Sequence, residues 1–544
     1  MTWAPECAVK WDGLAASILL FAIPLAALIT ALTIVLYRRS IGKAMRFSAG
    51  LMVSAQRPSS QTAVTPPPLR ISHVPLGKNR MMDTMGHSQA TMRAVSAMYA
   101  LAGIAQSIVA TILYLWQAGI EIRPMRTFLV WLPLAWPIIL TLGLTATSTK
   151  RQKYALWGGY LIALLAADAA ADLFGLRYQP GFGELFLIWG LHAGLPIAVM
   201  IILGNRAWRA VGFIALFFSI AAMTGGLLGF QGLGCLAIST QSETLLYSTP
   251  YLMTAVILIL VTGSWWGFRH LVRRYQAKHY SDQMLSIDSL WLLVTLIEGL
   301  YSMGAAGAAS LTYVAAFAAY KAISAIGLRR IRFADHAERP STLLMLRVFG
   351  FTSRTRRLTD QVGHYWRYSG PINMIGGTDL ATSLIEPDEL FQFWSRKVRQ
   401  VFIASEDDLR ARLNTLDMGR DPDQRYRINE FFCHDNTWQA TVKALAERSA
   451  VVLMDLRGFG KENRGCEFEL EMLFDVVPVS RIVLLVDQTT KIEPLTEVLH
   501  TAWAKQSAQS PNQKLTNPEL TLCEVTDSDR ALQPLISHLF AVSA

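Results

Sequence analysis

Hydrophobic residues follow two different patterns along the chain. Up to about residue 328 they form long runs of ~20 residues, the length that an α-helix needs to cross the ~30 Å hydrocarbon core of a membrane. After Pro340, short apolar runs alternate with charged stretches, as in a globular domain. The pattern predicts a membrane domain over residues 1–328, a linker over 329–340 and one soluble domain over 341–544.

Nine segments of the membrane domain are long and apolar enough to be transmembrane helices. The last two result from dividing the run Leu290–Ala325, because its 36 residues would form a helix of ~54 Å, nearly twice the thickness of the hydrocarbon core. The division is placed near Gly304 and Gly307. The predicted spans lie near residues 13–37, 95–116, 127–147, 154–176, 185–203, 211–230, 251–268, 288–304 and 308–327.

The basic residues of the connecting segments predict how the spans are oriented. If the N-terminus is outside, each inward loop carries lysines or arginines in a group, whereas the outward segments carry only Lys10, Arg123, Arg126 and Arg177. This excess on one side agrees with the positive-inside rule. We therefore expect the loop over 38–94 and the C-terminal domain to be cytoplasmic. The same topology accounts for the net charge of +10, which then gives no indication of nucleic-acid binding.

Three carboxylates lie in the interior of the predicted spans. Asp168 and Asp172 are one helical turn apart in the fourth span, and Glu298 lies in the eighth. Because a charge inside a bilayer is costly, these residues indicate either a path for protons or ions, or a polar pocket. The alternative is that they pair with neighbouring helices or, for Asp172, reach the interface.

The loop over 38–94 has the composition of a tether. It contains the segments "SSQTAVTPPPLR" and "MMDTMGHSQATM" and shows no sustained hydrophobic periodicity. A folded domain is therefore not predicted there.

The soluble domain alternates between strand-like and helix-like segments. Strands are predicted at "LLMLRVFG", "PINMIGG", "YRINEFFC", "AVVLMDL", "RIVLLVD" and "LTLCEVT", with helical segments between them. This alternation predicts an α/β fold with a parallel sheet that helices cover on both faces. Ligands bind such sheets at the carboxyl ends of the strands. The candidate loops are those after Phe349, Ile375, Cys433, Leu456 and Asp487.

The segment "LRGFGKENRGCEFELEMLF", residues 456–474, contains one of these loops and the helix that follows it. A glycine turn before a helix N-terminus can hold a phosphate on backbone N–H groups, and Arg457 and Gly458 lie in this turn. The glycine spacing matches neither the dinucleotide fingerprint nor the P-loop. Glu467, Glu469 and Glu471 follow in the helix. They indicate either an active site or a solvated face that favours the helix N-terminus electrostatically.

The series "NTWQATVKALAERSAVVLMDL", "RGCEFELEMLF" and "VSRIVLLVD" resembles the core of a Toll/interleukin-1 receptor (TIR) domain. That family has a helix ending in serine, a buried strand, a loop, and a helix that opens with the pattern Trp-Cys-x-x-Glu-Leu. Here Ser449 ends the first helix, and Cys466, Glu469 and Leu470 have the family's spacing, with Gly465 in place of the tryptophan. In enzymatic members, the glutamate of the pattern catalyses cleavage of NAD at the nicotinamide–ribose bond. The resemblance implies this role for Glu469, because a carboxylate can stabilise the positive charge that develops on the ribose.

The resemblance also indicates where further substrate contacts are expected. The family's substrate-contacting loop follows the first strand, which corresponds here to Phe349, Gly350 and Phe351. About 70 residues between this strand and "YRINEFFC" have no counterpart in the standard domain. Their segment "GPINMIGGTDL" is either a nucleotide loop or a plain turn. The residues of this second candidate loop are Gly376, Gly377 and Asp379, the last within reach of a ribose hydroxyl.

Three hypotheses for the function follow. The first is a membrane-anchored bacterial TIR-like protein of the inner (plasma) membrane that binds, and as an enzyme hydrolyses, NAD or a related nucleotide in defence or stress signalling. The second is a non-enzymatic membrane receptor or scaffold, and the third is a transporter or channel with a regulatory nucleotide-binding domain. The expected partners are the lipid bilayer, a nucleotide and further copies of the chain. Neither a prosthetic group nor a metal is expected, because no Cys/His cluster has ligand spacing.

Overall fold

The computed structural model describes residues 11–47, 66–75, 86–147, 149–173, 215–216, 218–226, 243–334, 340–347, 353–376, 393–394, 402–434, 437–460, 463–525 and 532–543. The chain divides into two compact units. The first comprises Met1–Tyr37, Ala94–Arg332 and Ile385–Phe391, and is named the membrane unit. The second comprises Arg38–Arg93, Phe333–Leu384 and Gln392–Ala544, and is named the sheet unit.

The membrane unit contains long apolar helices. The helices of the first part of the chain are α1 (Trp11–Phe47), α2 (Gly86–Gln117), α3 (Pro124–Leu134), α4 (Trp136–Thr145), α5 (Lys150–Leu173), α6 (Glu243–Gln276), α7 (Asp282–Ala306) and α8 (Tyr313–Ala334). Among the described residues, five helical segments are long and apolar enough to cross a membrane. These segments are Phe21–Ala44, Gly86–Gln117, Pro250–Gln276, Asp282–Leu300 and Ala309–Arg332.

A sixth span is formed if the bent pair of α3 and α4 crosses the membrane as one broken helix. The two helices differ in direction by 51°. Pro133 lies near the end of α3 and Pro137 in the first turn of α4, and a proline removes a backbone hydrogen bond and bends a helix. Most of the predicted span at 154–176 is described as α5, which is not among the five segments above. The predicted span at 185–203 and nearly half of the one at 211–230 lie outside the described residues. The total of nine spans therefore stays a prediction.

The long apolar run of residues 290–325 is interrupted where the sequence predicts a division. α7 ends at Ala306, and the 3₁₀-helix Gly307–Thr312 connects it to α8. Gly307 has a φ of +54°, in the left-handed region that residues with a side chain rarely adopt. Glycine therefore allows the turn that separates the two helices.

The sheet unit contains a parallel sheet of eight strands. They are β1 (Arg70–Pro75), β2 (Leu343–Arg347), β3 (Ile372–Gly376), β4 (Phe402–Ile403), β5 (Ile428–Cys433), β6 (Val451–Asp455), β7 (Ile482–Val486) and β8 (Glu519–Glu524). Their order across the sheet is β1-β8-β7-β6-β2-β3-β5-β4, and each pair is parallel. The predicted parallel sheet is confirmed.

Helices cover this sheet. They are α9 (Ser353–Trp366), α10 (Glu406–Asn414), α11 (Trp438–Arg448), α12 (Arg464–Val476), α13 (Ile492–Ala504) and α14 (Leu532–Ser543). Every residue of the central strands β6 and β7 is buried. Because successive side chains of a strand point to opposite faces, burial of all of them requires that both faces be covered.

The chain builds the sheet outward from β2 in two directions. It first adds β3, β4 and β5 on one side of β2, and then adds β6, β7 and β8 on the other side. In doubly wound sheets, ligands bind where this direction changes, in the crevice at the carboxyl ends of the two strands concerned. Here these strands are β2 and β6, whose last residues Arg347 and Asp455 lie side by side in register. We name the crevice at the carboxyl ends of β2 and β6 the switch-point crevice.

Strand β1 comes from the loop that the sequence predicts to be a tether. It pairs with β8 along its whole length, from Arg70 opposite Glu519 to Pro75 opposite Glu524. The preceding Leu69 is buried in the core, and the indole Nε1 of Trp503 donates to the Pro67 carbonyl at 2.7 Å. A six-residue strand bordered by proline is too short to give a periodic signal. The prediction for this part of the loop was therefore wrong.

The additional residues between β2 and "YRINEFFC" extend one side of the sheet. β3, from "PINMIGG", pairs directly with β2, whereas β5, from "YRINEFFC", pairs with β3 and β4. The additional residues thus place β3 between β2 and β5 and add β4 at the edge, and they leave β2 and β6 as neighbours at the switch-point crevice.

Candidate functional site

The loop after β6 is a compact turn held by its own hydrogen bonds. Gly458 has a φ of +77°, which explains the glycine at this position. The backbone N–H of Phe459 donates to the Leu456 carbonyl at 3.0 Å, and that of Gly460 donates to Asn463 Oδ1 at 2.9 Å. These two N–H groups are therefore already used inside the turn. The turn therefore has fewer backbone N–H groups with which to bind a phosphate.

Arg457 forms a closed pair with the residue at the end of β6. Its Nε and Nη2 donate to the two carboxylate oxygens of Asp455 at 2.8 and 2.7 Å, and both side chains are buried. A bidentate pair of this kind is strong and fixes the orientation of both groups. Arg457 was predicted to contact a phosphate, and Asp455 now competes for the same donors.

Helix α12 buries one of its three glutamates. The predicted apolar stripe of Cys466, Leu470, Leu473 and Phe474 is fully buried against the sheet. Glu469 is buried beside this stripe, with 7% of its surface exposed. Glu467 and Glu471 are partly exposed, and the carboxylate of Glu471 accepts from Lys505.

The carboxyl group of Glu469 is in an unusual electrostatic state. Its Oε2 is enclosed and has no hydrogen-bond partner among the described residues. Burial raises the pKa of Glu469 to about 8, because a carboxylate loses its hydration in a low-dielectric environment, and the positive charge of Arg347 opposes this shift. An acid whose pKa is strongly shifted by burial and by a specific charge marks a candidate functional position.

Arg347 joins Glu469 to the switch-point crevice. As the last residue of β2, it lies next to Asp455 of β6 in register, and its charge acts on Glu469 of α12. Three parts of the sheet unit thus come together here: the end of β2, the end of β6 and the helix α12 that follows β6. The crevice combines a cation, a closed Asp–Arg pair and a buried acid.

Hydrogen bonds connect the loop after β7 with α9 and with the loop after β6. Arg354, in the first turn of α9, donates to Asp487 Oδ2 at 3.0 Å. Asp487 Oδ1 also accepts from the backbone N–H of Thr489 at 2.9 Å. The hydroxyl of Thr490 donates to the Leu456 carbonyl at 3.1 Å. The first bond joins α9 to the β7 loop, the second lies within the β7 loop, and the third holds the β7 loop against the β6 loop.

The sequence pointed to the loop after Asp487 but missed Arg347 and Arg354 as candidates. The signal that could have found Arg347 is its position at the carboxyl end of the first strand of an α/β domain. Of the predicted site residues, Phe349, Gly350, Phe351, Gly377 and Asp379 lie outside the described residues.

Gly376 was predicted to lie in a nucleotide loop or in a plain turn. In the structure it has a packing role within the sheet. It is the last residue of β3 and lies in register with Phe432 of β5. A Cβ at this position would come within 2.7 Å of the Phe432 ring. The absence of a side chain therefore allows this ring to pack across the strand pair.

The cysteines of the sheet unit do not form a reactive centre. Burial raises the pKa of the Cys433 thiol to about 11 and that of Cys466 and Cys523 to about 12. These thiols remain protonated and unreactive near neutral pH. Among the described residues, no group of three or more His, Cys, Asp and Glu side chains is arranged to hold a metal ion.

Comparison with protein-family models, with curated proteins and with solved structures finds no match to this chain.

Proposed function

We propose that the switch-point crevice binds NAD or a related nucleotide and that Glu469 is the residue that acts on it. One observation carries this proposal: the enclosed Glu469 carboxyl, with one oxygen unpartnered, lies within electrostatic reach of Arg347 where a doubly wound sheet binds ligands. A ribose hydroxyl would supply the hydrogen bond that Oε2 lacks. Arg347 would offer its guanidinium to a phosphate, which arginine binds well.

The reaction that fits these groups is hydrolysis of the bond between nicotinamide and ribose. When this bond breaks, its electron pair stays with the nicotinamide nitrogen, and positive charge develops on the ribose. An ionised Glu469 would stabilise that charge. A water molecule then forms the new bond to the ribose carbon and releases its proton to solvent. The products are nicotinamide and the ribosyl nucleotide.

The ionisation state of Glu469 sets the conditions for this reaction. With a pKa of about 8, most of the carboxyl groups carry a proton at pH 7. The neutral acid can donate a hydrogen bond, but it cannot stabilise a developing cation. The positive ring of bound NAD favours the ionised form of a nearby carboxyl group. We therefore expect substrate binding and deprotonation of Glu469 to support each other.

We further propose that the sheet unit is a divergent TIR-like domain and that the membrane unit has nine spans. The order β2-β6-β7-β8, with "CEFEL" at the start of the helix after β6, supports the first statement. In this arrangement the N-terminus lies outside a bacterial inner membrane and the sheet unit lies in the cytoplasm. NAD consumption would then be the output of a defence or stress signal, with copies of the chain assembling to produce it.

A non-enzymatic scaffold is the alternative, and one observation favours it. Arg457 and the N–H groups of the β6 turn are already bonded within the protein. A crevice whose donors are used in this way would fit a domain that signals through protein contacts. Turnover of NAD distinguishes the two functions.

The experiment uses the full chain in nanodiscs, because a fragment of residues 335–544 would lack β1. The protein is incubated with NAD, and free nicotinamide is measured by chromatography. Glu469→Gln keeps the size of the side chain and removes its charge. Glu471→Gln, two residues away on the same helix and bonded to Lys505 at the surface, is the matched control.

Release of nicotinamide by the wild type and by Glu471→Gln, with a loss of at least 100-fold in Glu469→Gln, is the expected result. Equal release by both variants would assign the activity to another residue. If the wild type releases none, the crevice is not an NAD hydrolase, and the scaffold function takes its place.

A further inference from the structure

A line of polar side chains follows one face of α7 through the membrane unit. Asp288, Thr295, Glu298 and Ser302 are separated by seven, three and four residues, which places them on the same side of the helix. At ~1.5 Å per residue the line is ~21 Å long, about two thirds of the hydrocarbon core. α2, α7 and α8 all coincide with segments suited to cross a membrane.

Asp288 forms one end of this line. Lys321 of α8 lies with its Nζ 2.6 Å from Asp288 Oδ2, and the hydroxyl of Tyr320 donates to Asp288 Oδ1 at 2.9 Å. This charged pair is partly exposed. It is therefore a suitable place for a proton to enter or leave from an aqueous face.

A glutamine of α2 meets the middle of the line. Gln106 donates through Nε2 to Thr295 Oγ1 at 2.8 Å and to the Trp291 carbonyl at 3.1 Å. The helices are close here, since a Cβ on Gly103 would come within 2.3 Å of the Trp291 ring. The other amide atom, Gln106 Oε1, is enclosed and has no partner among the described residues.

Ser302 forms the other end. Its hydroxyl donates to Gln117 Oε1 at the end of α2 and also hydrogen-bonds with Tyr313. Gln117 in turn donates to Thr312 Oγ1 at 3.1 Å and to the Ala309 carbonyl at 3.0 Å. Neutral groups that both donate and accept thus follow one another at this end.

Glu298 lies between the middle of the line and this end, one helical turn from Thr295 and from Ser302. Glu298 interacts electrostatically with the hydroxyl of Tyr313 of α8, as does Tyr114 of α2. Its Oε2 is enclosed and unpartnered, and within the described ranges no lysine or arginine pairs with it. Hydrogen bonds of hydroxyl and amide side chains are sufficient to hold membrane helices together. The need to hold the helices together therefore does not explain an acid at position 298.

We propose that α2, α7 and α8 form a proton pathway across the membrane, with Glu298 as the residue that carries the proton. Its carboxylate takes up a proton arriving from one side, and the resulting acid releases it toward the other. Thr295 with Gln106, and Ser302 with Gln117, provide the adjoining polar groups. Charge moves only as H⁺ down its electrochemical gradient, and no group is oxidised or reduced. This property goes beyond the proposed reaction of the sheet unit and does not depend on it.

The test reconstitutes the full chain in liposomes that contain a pH-sensitive dye. A potassium gradient with valinomycin sets the membrane potential, and the rate of internal pH change is recorded for both signs of the potential. The wild type should move protons faster than empty liposomes. Glu298→Gln should lower the rate by at least tenfold, and Glu298→Asp should keep part of it. Glu121→Gln, an exposed glutamate between α2 and α3, should behave as wild type.

A second variant decides the outcome if Glu298→Gln does not fold, which size-exclusion chromatography and thermal unfolding will reveal. Thr295→Val has the same shape but lacks the hydroxyl, and should also slow proton movement. The proposal is overturned if wild-type liposomes are no faster than empty ones. It is equally overturned if folded Glu298→Gln and Thr295→Val both retain the wild-type rate, in which case the polar line only holds the helices together.

Discussion

Glu469 of the sheet unit and Glu298 of the membrane unit each have an enclosed carboxyl oxygen without a hydrogen-bond partner among the described residues, but their surroundings differ. Glu469 of the sheet unit lies near a cation, Arg347, beside a closed Asp–Arg pair. Glu298 of the membrane unit interacts electrostatically with the Tyr313 hydroxyl and shares a helix face with Thr295 and Ser302, which hydrogen-bond with glutamine amides. An acid near a cation at a sheet crevice is suited to a charged ligand. An acid among neutral donors and acceptors is suited to exchange a proton. The residue type is the same, and its neighbours decide what it can do.

Removal of the cation near Glu469 should have the largest effect. Arg347→Gln should lower kcat/KM for nicotinamide release by about 100-fold, because it removes the proposed phosphate contact and also the positive charge that lowers the pKa of Glu469. Arg347→Lys should restore part of the loss. The proton movement assigned to Glu298 should not change.

Steady-state kinetics of the full chain in nanodiscs would measure this effect, with the exposed Arg410→Gln of α10 as the control. An Arg347→Gln variant with wild-type kcat/KM would show that Arg347 does not contribute to turnover. The nearby cation would then not explain why Glu469 differs in function from Glu298.

The pH dependence of turnover should show the next effect. Because Glu469 must lose its proton to stabilise the ribose cation, kcat/KM should rise about tenfold per pH unit below its pKa and level off above about 8. Rates measured between pH 6 and pH 9.5 would give the midpoint. A rate that falls over this range would mean that Glu469 acts as the protonated acid.

The neutral hydrogen bonds of the membrane unit should have the smallest effect. The indole Nε1 of Trp291 donates to Thr141 Oγ1 at 3.2 Å, and Thr141→Val leaves this buried donor without its partner. We expect a loss of about 1 kcal/mol in the free energy of unfolding and unchanged nicotinamide release. Thr262→Val, at an exposed position of α6, is the control. Thermal unfolding in detergent measures the difference, and a large loss of turnover would show that the two units are coupled.

The sequence was sufficient for the features that depend on local patterns. Runs of apolar residues predicted the long helices, the alternation of strands and helices predicted the parallel sheet, and spacing predicted the buried face of α12 around Leu470. Spacing could not decide which of the flanking acids, Glu467 or Glu469, is buried, because both border that face. Arg347 lies near Glu469 because β2 and β6 are neighbours in the sheet. Only the strand order reveals this.

Strand β1 makes the sheet unit depend on two distant parts of the chain. Its pairing partner β8 lies roughly 450 residues further on, and contacts between such distant residues form slowly because the intervening chain must first be brought together. During synthesis, β1 leaves the ribosome before the other described strands and has to wait until the chain has been made as far as β8. The sheet can therefore reach its final form only after the membrane helices have been synthesised. A chain whose translation stops early would carry an unpaired β1, and the product would lack β8 as well.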